Sequence, residues 1–104
     1  MREINLTGKQ KIVVLNGMRA LKDGFAGVDR QRAGARLLRA CKKELPEEGN
    51  IPKELLEKSF TVKLEEVDFS LLKEIVEKVQ WGADALEIID ELNTIISEAK
   101  KIEP

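Results

Sequence analysis

The sequence predicts a mainly α-helical domain of four or five helices, with room for one short two-stranded β ribbon at the margin. Three observations carry this. Apolar residues recur at helical spacing through most of the chain. Only residues 60–65, and more briefly 3–6, alternate apolar with polar side chains. The 104 residues, 42% hydrophobic and 36% charged, suit one compact core rather than two cores or a disordered chain. The expectation is one domain over residues 1–104.

Taken in order, residues 3–6 form a candidate strand with Ile4 and Leu6 on one side. Residues 11–21 admit two readings. Asn16-Gly17 between apolar tetrads is a hairpin signal. Against it, residues 12–15 do not alternate, Met18 to Leu21 are strong helix formers, and Val14, Leu15, Met18 and Leu21 share a helical face. A helix over 9–22 is favoured, with Gly17 as a weak point, Gly24 as its left-handed C-cap residue and Phe25 as the accompanying apolar contact.

A second helix over 30–45 should begin at an Asp29 N-cap and run until Pro46. Ala33, Leu37, Leu38, Ala40, Cys41 and Leu45 fall on one arc, and Arg32, Arg36, Arg39 and Lys43 on the opposite one. Gly34 lies on the apolar side, where it would permit close helix approach. Residues 46–52 read as a loop, with Pro52 in the first turn of a short helix carrying Leu55 and Leu56.

Phe60, Val62 and Leu64 mark a strand that could pair with residues 3–6; a lone ribbon is marginal, so it must rest on the helices. Asp68 looks like the cap of a third long helix with Phe69, Leu72, Ile75, Val76 and Val79 on one face. After Gln80-Trp81-Gly82, a last helix over 83–100 carries Ala85, Ile88, Ile89, Leu92, Ile95, Ile96 and Ala99 on one side. Asp84, Glu87, Asp90, Glu91 and Glu98 occupy the other.

The formal charge of −1 conceals a division. Residues 1–43 hold eleven Lys/Arg against three acids, a net of +8, and residues 44–104 hold seven Lys against sixteen acids, a net of −9. All six arginines lie at or before Arg39. The chain is thus a basic half followed by an acidic half.

Composition removes several functions. With no histidine, the usual general base, imidazole metal ligands and Ser-His or Cys-His pairs are absent. The single cysteine allows no intrachain disulfide. Aromatic content of 4% cannot build a base-stacking platform, and the scattered glycines form no phosphate loop. No apolar run approaches the ~18 residues of a membrane span, and no h-region follows Met1-Arg2-Glu3, so the cytoplasm is the expected compartment. The expectation is no enzyme, no cofactor, no metal, no membrane and no small-molecule substrate.

Three features are left to carry function. The first is the basic face Arg30, Arg32, Arg36, Arg39 and Lys43. It could meet phosphates, and its first-turn arginines oppose the helix macrodipole. The plainer reading, which outweighs this one, is a solvated face or one paired with the acidic half. A helix-turn-helix with Gly27 at the turn fits poorly, because it would bury Arg36 and because the connection at 23–29 is long.

The second feature is the wide apolar stripe of the last helix. With Trp81, Ile88 and Ile95 it could form an oligomer or partner interface, and core packing is the plainer reading. The third is the acidic surface of Glu47, Glu48, Glu65, Glu66, Asp84, Glu87, Asp90 and Glu91. Glu87 with Asp90, or Glu87 with Glu91, could share a helix face and hold a divalent cation; the plainer reading, which outweighs this one, is a solvated face. Cys41, on the apolar arc, reads as an inert core residue.

The order of segments Phe60-Thr61-Val62-Lys63-Leu64-Glu65-Glu66, then Asp68-Phe69-Ser70-Leu71-Leu72-Lys73, then Gln80-Trp81-Gly82, then Ala85 to Leu92, together with the opening Leu6-Thr7-Gly8-Lys9-Gln10, resembles small uncharacterised proteins of tailed bacteriophages and prophages. The likeness is one of layout over about half the chain, and the arginine-bearing helix lies outside it. It implies a small helper or assembly protein working by macromolecular contact. The leading expectation is a non-enzymatic interaction module acting through self-association or a protein partner; the alternative is a nucleic-acid-binding accessory protein using the basic face of helix 30–45.

Overall fold

In the computed structural model, residues 1–21, 24–46 and 50–101 are described. The chain runs β1 (Arg2–Thr7), α1 (Gly8–Ala20), α2 (Val28–Lys42), α3 (Lys53–Glu57), β2 (Ser59–Leu64), α4 (Glu66–Lys78), a 3-10 turn (Ala83–Ala85), α5 (Leu86–Glu98) and β3 (Lys100–Lys101). The mainly helical class and the small antiparallel ribbon are both present. The radius of gyration, 13.2 Å, matches the ~13 Å of a single compact domain this long.

β1 and β2 pair antiparallel with Ile4 opposite Val62 and Leu6 opposite Phe60, so the alternating residues share one buried face. The other face is polar, with Glu3 opposite Lys63 and the Thr61 hydroxyl donating to Asn5 Oδ1 at 2.9 Å. One element was not foreseen: Lys100 and Lys101 pair with Glu3 and Arg2, giving strand order β2-β1-β3.

The competition over residues 11–21 resolves as helix. Its start is fixed by a capping box. The Thr7 hydroxyl accepts from the Gln10 backbone N–H at 3.1 Å, and Gln10 Oε1 accepts from the Thr7 N–H at 2.9 Å. Gly17 is more than a weak point, because a methyl group there would lie 2.6 Å from Trp81 Cη2 and 2.9 Å from Ile75 Cγ2. The helix ends at Ala20 with Leu21 extended at the C-cap. Gly24 is left-handed (φ 61) as expected but lies beyond the cap, its N–H donating to Leu21 O at 3.1 Å.

Other boundaries differ from expectation. Asp29 is not the N-cap of α2. Gly27, at φ 90, turns the chain where only glycine does so without strain, and Asp29 falls in the first turn, where its charge still favours the helix dipole. α2 stops at Lys42 rather than Leu45: Lys43 leaves the helical region (ψ 136), and Glu44 follows in the left-handed one (φ 72). Pro52 is the N-cap of α3 rather than a member of its first turn. Asp68 is not a cap either: Glu65 holds that position, and the Asp68 side chain turns to Arg36. The last helix splits into the 3-10 turn and α5. Gly34 faces the Phe25 ring rather than a second helix.

The helices cover one side of the sheet. α1 packs against α2, α4 and α5; α2 also packs on α4, and α5 on α4 and β1. Leu6, Val14, Leu37, Leu72, Ile75 and Leu92 form the dry centre. Lys11 is buried among them, at 1% exposure, beneath the Phe60 ring at 4.5 Å, with Nζ donating to Lys43 O at 3.0 Å. That bond satisfies a carbonyl at the end of α2 and brings the Glu44 carboxylate to 3.6 Å.

Candidate functional site

The arginine-rich half is sorted by α4. Arg36 forks onto Asp68, with Nε and Nη2 each 2.9 Å from a carboxylate oxygen, and Asp68 is 3% exposed. These hydrogen bonds to Asp68 raise the Arg36 pKa, holding the charge in place. Arg30 Nη1 reaches Glu74 at 2.6 Å, and Lys78 reaches the same carboxylate at 2.9 Å. The hydrogen bonds from Lys78 and Arg30 lower the Glu74 pKa below the usual carboxylate value. Arg2 meets Glu66 at 3.1 Å and lies over the Phe69 ring. Apart from Lys78–Glu74, which lies within the acidic half, these pairs and Lys11–Glu44 join cations from residues 1–43 to acids from residues 44–104, so the two halves of the charge pattern meet within one chain.

Arg19, Arg32 and Arg39 are exposed and pair with no carboxylate among the described residues. The five residues of the basic face are therefore divided. Arg30 and Arg36 turn to α4. Arg32 and Arg39 face solvent. Lys43 lies just past the helix, exposed, with its carbonyl held by Lys11. Rotation of 100° per residue explains the split, since Arg30 and Arg36 flank buried Ala33 while Arg32 and Arg39 sit further round.

A groove opens between α1 and α2, about 410 Å³ in volume. Leu15, Met18, Ala35 and Leu38 form its floor, Phe25 lines it as well, and Arg19 and Lys42 stand on its rim. Leu15, Arg19 and Lys42 also line a cleft of about 660 Å³ that continues past Lys43 and Glu44 to Ile51. The result is a mostly apolar channel edged by Arg19, Lys42 and Lys43, with Glu44 beside Lys43 in the larger cleft and Arg32 and Arg39 on the neighbouring face of α2. Arg19 and Lys42 were not singled out from the sequence. Their signal was weak: each is one polar residue on a mostly apolar or mixed face, and only the meeting of the two helices makes them neighbours.

The apolar candidates lie otherwise. Trp81, Ile88 and Ile95 are partly buried against the core, and Trp81 Nε1–H donates to Val76 O at 3.0 Å. The exposed large residue of α5 is Leu86, 55% exposed and followed in sequence by the exposed acids Glu87 and Asp90. Glu91 accepts from Gln10 Nε2 at 3.0 Å, tying α5 to the start of α1. Glu65, Glu66 and Asp84 are exposed, whereas Glu47 and Glu48 lie outside the described residues. Among the described residues, no group of three or more acids or cysteines is placed to hold a metal ion. Cys41 is fully buried, and burial pushes its thiol up to about 12.

Among the described residues no helix is long and apolar enough to cross a membrane. Compared with protein-family models, with curated proteins and with solved structures, the chain finds no match.

Proposed function

We propose that this chain is a non-enzymatic interaction module whose working surface is the α1–α2 groove, taking an acidic, apolar-faced segment of a protein partner. One observation carries the reading. Of the six arginines, Arg2, Arg30 and Arg36 are matched to acids of α4, while Arg19, Arg32 and Arg39 remain around or beside an apolar channel. Such a rim orients and accelerates docking, and the apolar floor supplies affinity. Two buried groups with reactive chemistry are committed elsewhere: Asp68 holds Arg36, and the Cys41 thiol stays protonated in the core. An assembly or helper role of phage type, which the sequence layout suggests, agrees with this reading.

The test uses a labelled amphipathic Leu/Glu helix peptide and fluorescence anisotropy. Binding should weaken with salt and disappear in Arg19→Glu/Lys42→Glu. Absence of binding at about 50 mM salt, where screening is mild, would refute the reading.

Nucleic-acid binding is the second reading, favoured by the exposed Arg32, Arg39, Lys42 and Lys43 on and just beyond α2. Four phosphate contacts predict a salt slope near −4 on a log–log plot (about −0.9 each). The apolar floor favours the protein partner, because a phosphate backbone offers nothing to fill it.

A further inference from the structure

We propose that the acidic partner of the groove is a second copy of this chain, docking through the Leu86 end of α5. The inference rests on the groove being a docking surface and names its occupant.

The argument is complementarity of both charge and polarity. The groove is an apolar floor edged by cations, with Leu38 and Met18 below and Arg19 and Lys42 above. The start of α5 is the reverse: Leu86 stands exposed, preceded in sequence by the exposed Asp84 and followed by the exposed Glu87 and Asp90. Leu86 and Asp90 are four residues apart and so share a helix face, with Glu87 on the adjacent one. An apolar knob with an acidic collar fits an apolar socket with a basic collar.

The two surfaces do not satisfy each other within one molecule. α2 packs on α1 and α4, whereas α5 packs on α1, α4 and β1. The internal ion pairs described above consume other residues, leaving Asp84, Glu87 and Asp90 without a cation among the described residues. The charge asymmetry is therefore neutralised in part inside the chain, and its remainder lies on separate surfaces. Each copy offers one knob and one socket, so association closes as a two-fold pair where both are engaged reciprocally and continues to a ring or an open filament where they are not.

The test is a capped-pair experiment by light scattering at about 50 mM salt, the regime in which charge pairs are least screened. Wild type should exceed 11.7 kDa, with a mass that rises with concentration and falls with salt. Arg19→Glu/Lys42→Glu loses the socket and keeps the knob. Leu86→Ser/Asp90→Asn loses the knob and keeps the socket. All four positions lie at the surface or rim, and circular dichroism checks that each variant is folded. Each alone should be monomeric, and their mixture should give a 1:1 particle of about twice 11.7 kDa that grows no further.

A wild type that stays monomeric up to on the order of 100 µM, between the usual weak and moderate affinity ranges, overturns the proposal. So does an oligomer indifferent to both variants. If wild type is monomeric and still captures the Leu/Glu peptide, the groove reading stands and only its occupant is wrong. If the peptide also fails, both fall. Salt-dependent binding of duplex DNA by a monomer, lost in Arg32→Glu/Arg39→Glu, overturns the second-copy proposal in favour of nucleic acid.

Discussion

Gly17→Ala should destabilise this protein, although Ala is ordinarily the better helix residue. On an open helix surface the change would gain about 0.8–1.0 kcal/mol from backbone propensity. Here the new methyl would lie 2.6 Å from Trp81 Cη2, 3.1 Å from Cζ2 and 2.9 Å from Ile75 Cγ2, against the ~3.5–4.0 Å of a comfortable carbon contact. Ile75 is fully buried and has nowhere to go. The indole could swing aside only by stretching its hydrogen bond to Val76 O, now 3.0 Å. Overpacking of this kind costs about 1–3 kcal/mol, so the net loss should be about 1 kcal/mol. For a domain of this size that lowers Tm by about 4–8 °C. Thermal unfolding followed by circular dichroism measures it. The emission of Trp81, the only tryptophan, should shift in the folded state as its ring is displaced. Introduced beside Trp81→Leu, the same change should cost less, with a coupling on the order of 1 kcal/mol. A Tm that rises, with emission unchanged, would refute the close approach of α1 to Trp81.

Arg36→Glu should lower the urea midpoint clearly, since it sets a second acid against buried Asp68, whereas Arg32→Glu should leave it nearly unchanged; equal effects would show that the division of the basic face is wrong. Lys11→Ala should cost about 2 kcal/mol or more by leaving a cavity, while Lys11→Met, which keeps the volume, should cost much less by chemical denaturation. Cys41 should resist alkylation in the folded state at pH 8 and react at the rate of unfolding. Because its folded pKa, about 12, lies above the unfolded value, 9.0, its contribution is intact below pH 9 and declines from there towards pH 12. The slope is about 1.4 kcal/mol per pH unit in that window, measured as wild type minus Cys41→Ala; no pH dependence in that difference would contradict the buried thiol.

The parts of the fold governed by a repeating pattern were legible in the sequence. Phe60, Val62 and Leu64 marked β2 because a strand with one buried face leaves no other choice. The apolar faces of α4 and α5 followed from their spacing. Helix starts were read less well. Asp29 and Asp68 looked like caps because an acid before an apolar run is a cap signal, yet an acid in the first turn satisfies the same helix dipole. The choice fell to Gly27 and to the Arg36 fork, which are backbone and tertiary matters. β3 was invisible because two residues carry no period. The groove was hidden for a related reason. Arg32 and Arg36 stand one helical turn apart on one face of α2, and nothing local states that the acids of α4 claim the second and not the first.

The charge division also orders the making of the fold. Arg30 and Arg36 of α2 find their counterions in Glu74 and Asp68, and β1 finds its main partner in β2, more than fifty residues later in the chain. A segment of residues 1–43 alone would carry a net +8, from eleven cations and three acids, with no sheet to close and no α4 to receive its arginines. Its native arrangement must therefore wait until residues 59–78 are present. Such a chain matures late, by long-range closure rather than stepwise growth from its first helix, and until then exposes a basic, half-apolar surface to whatever is near.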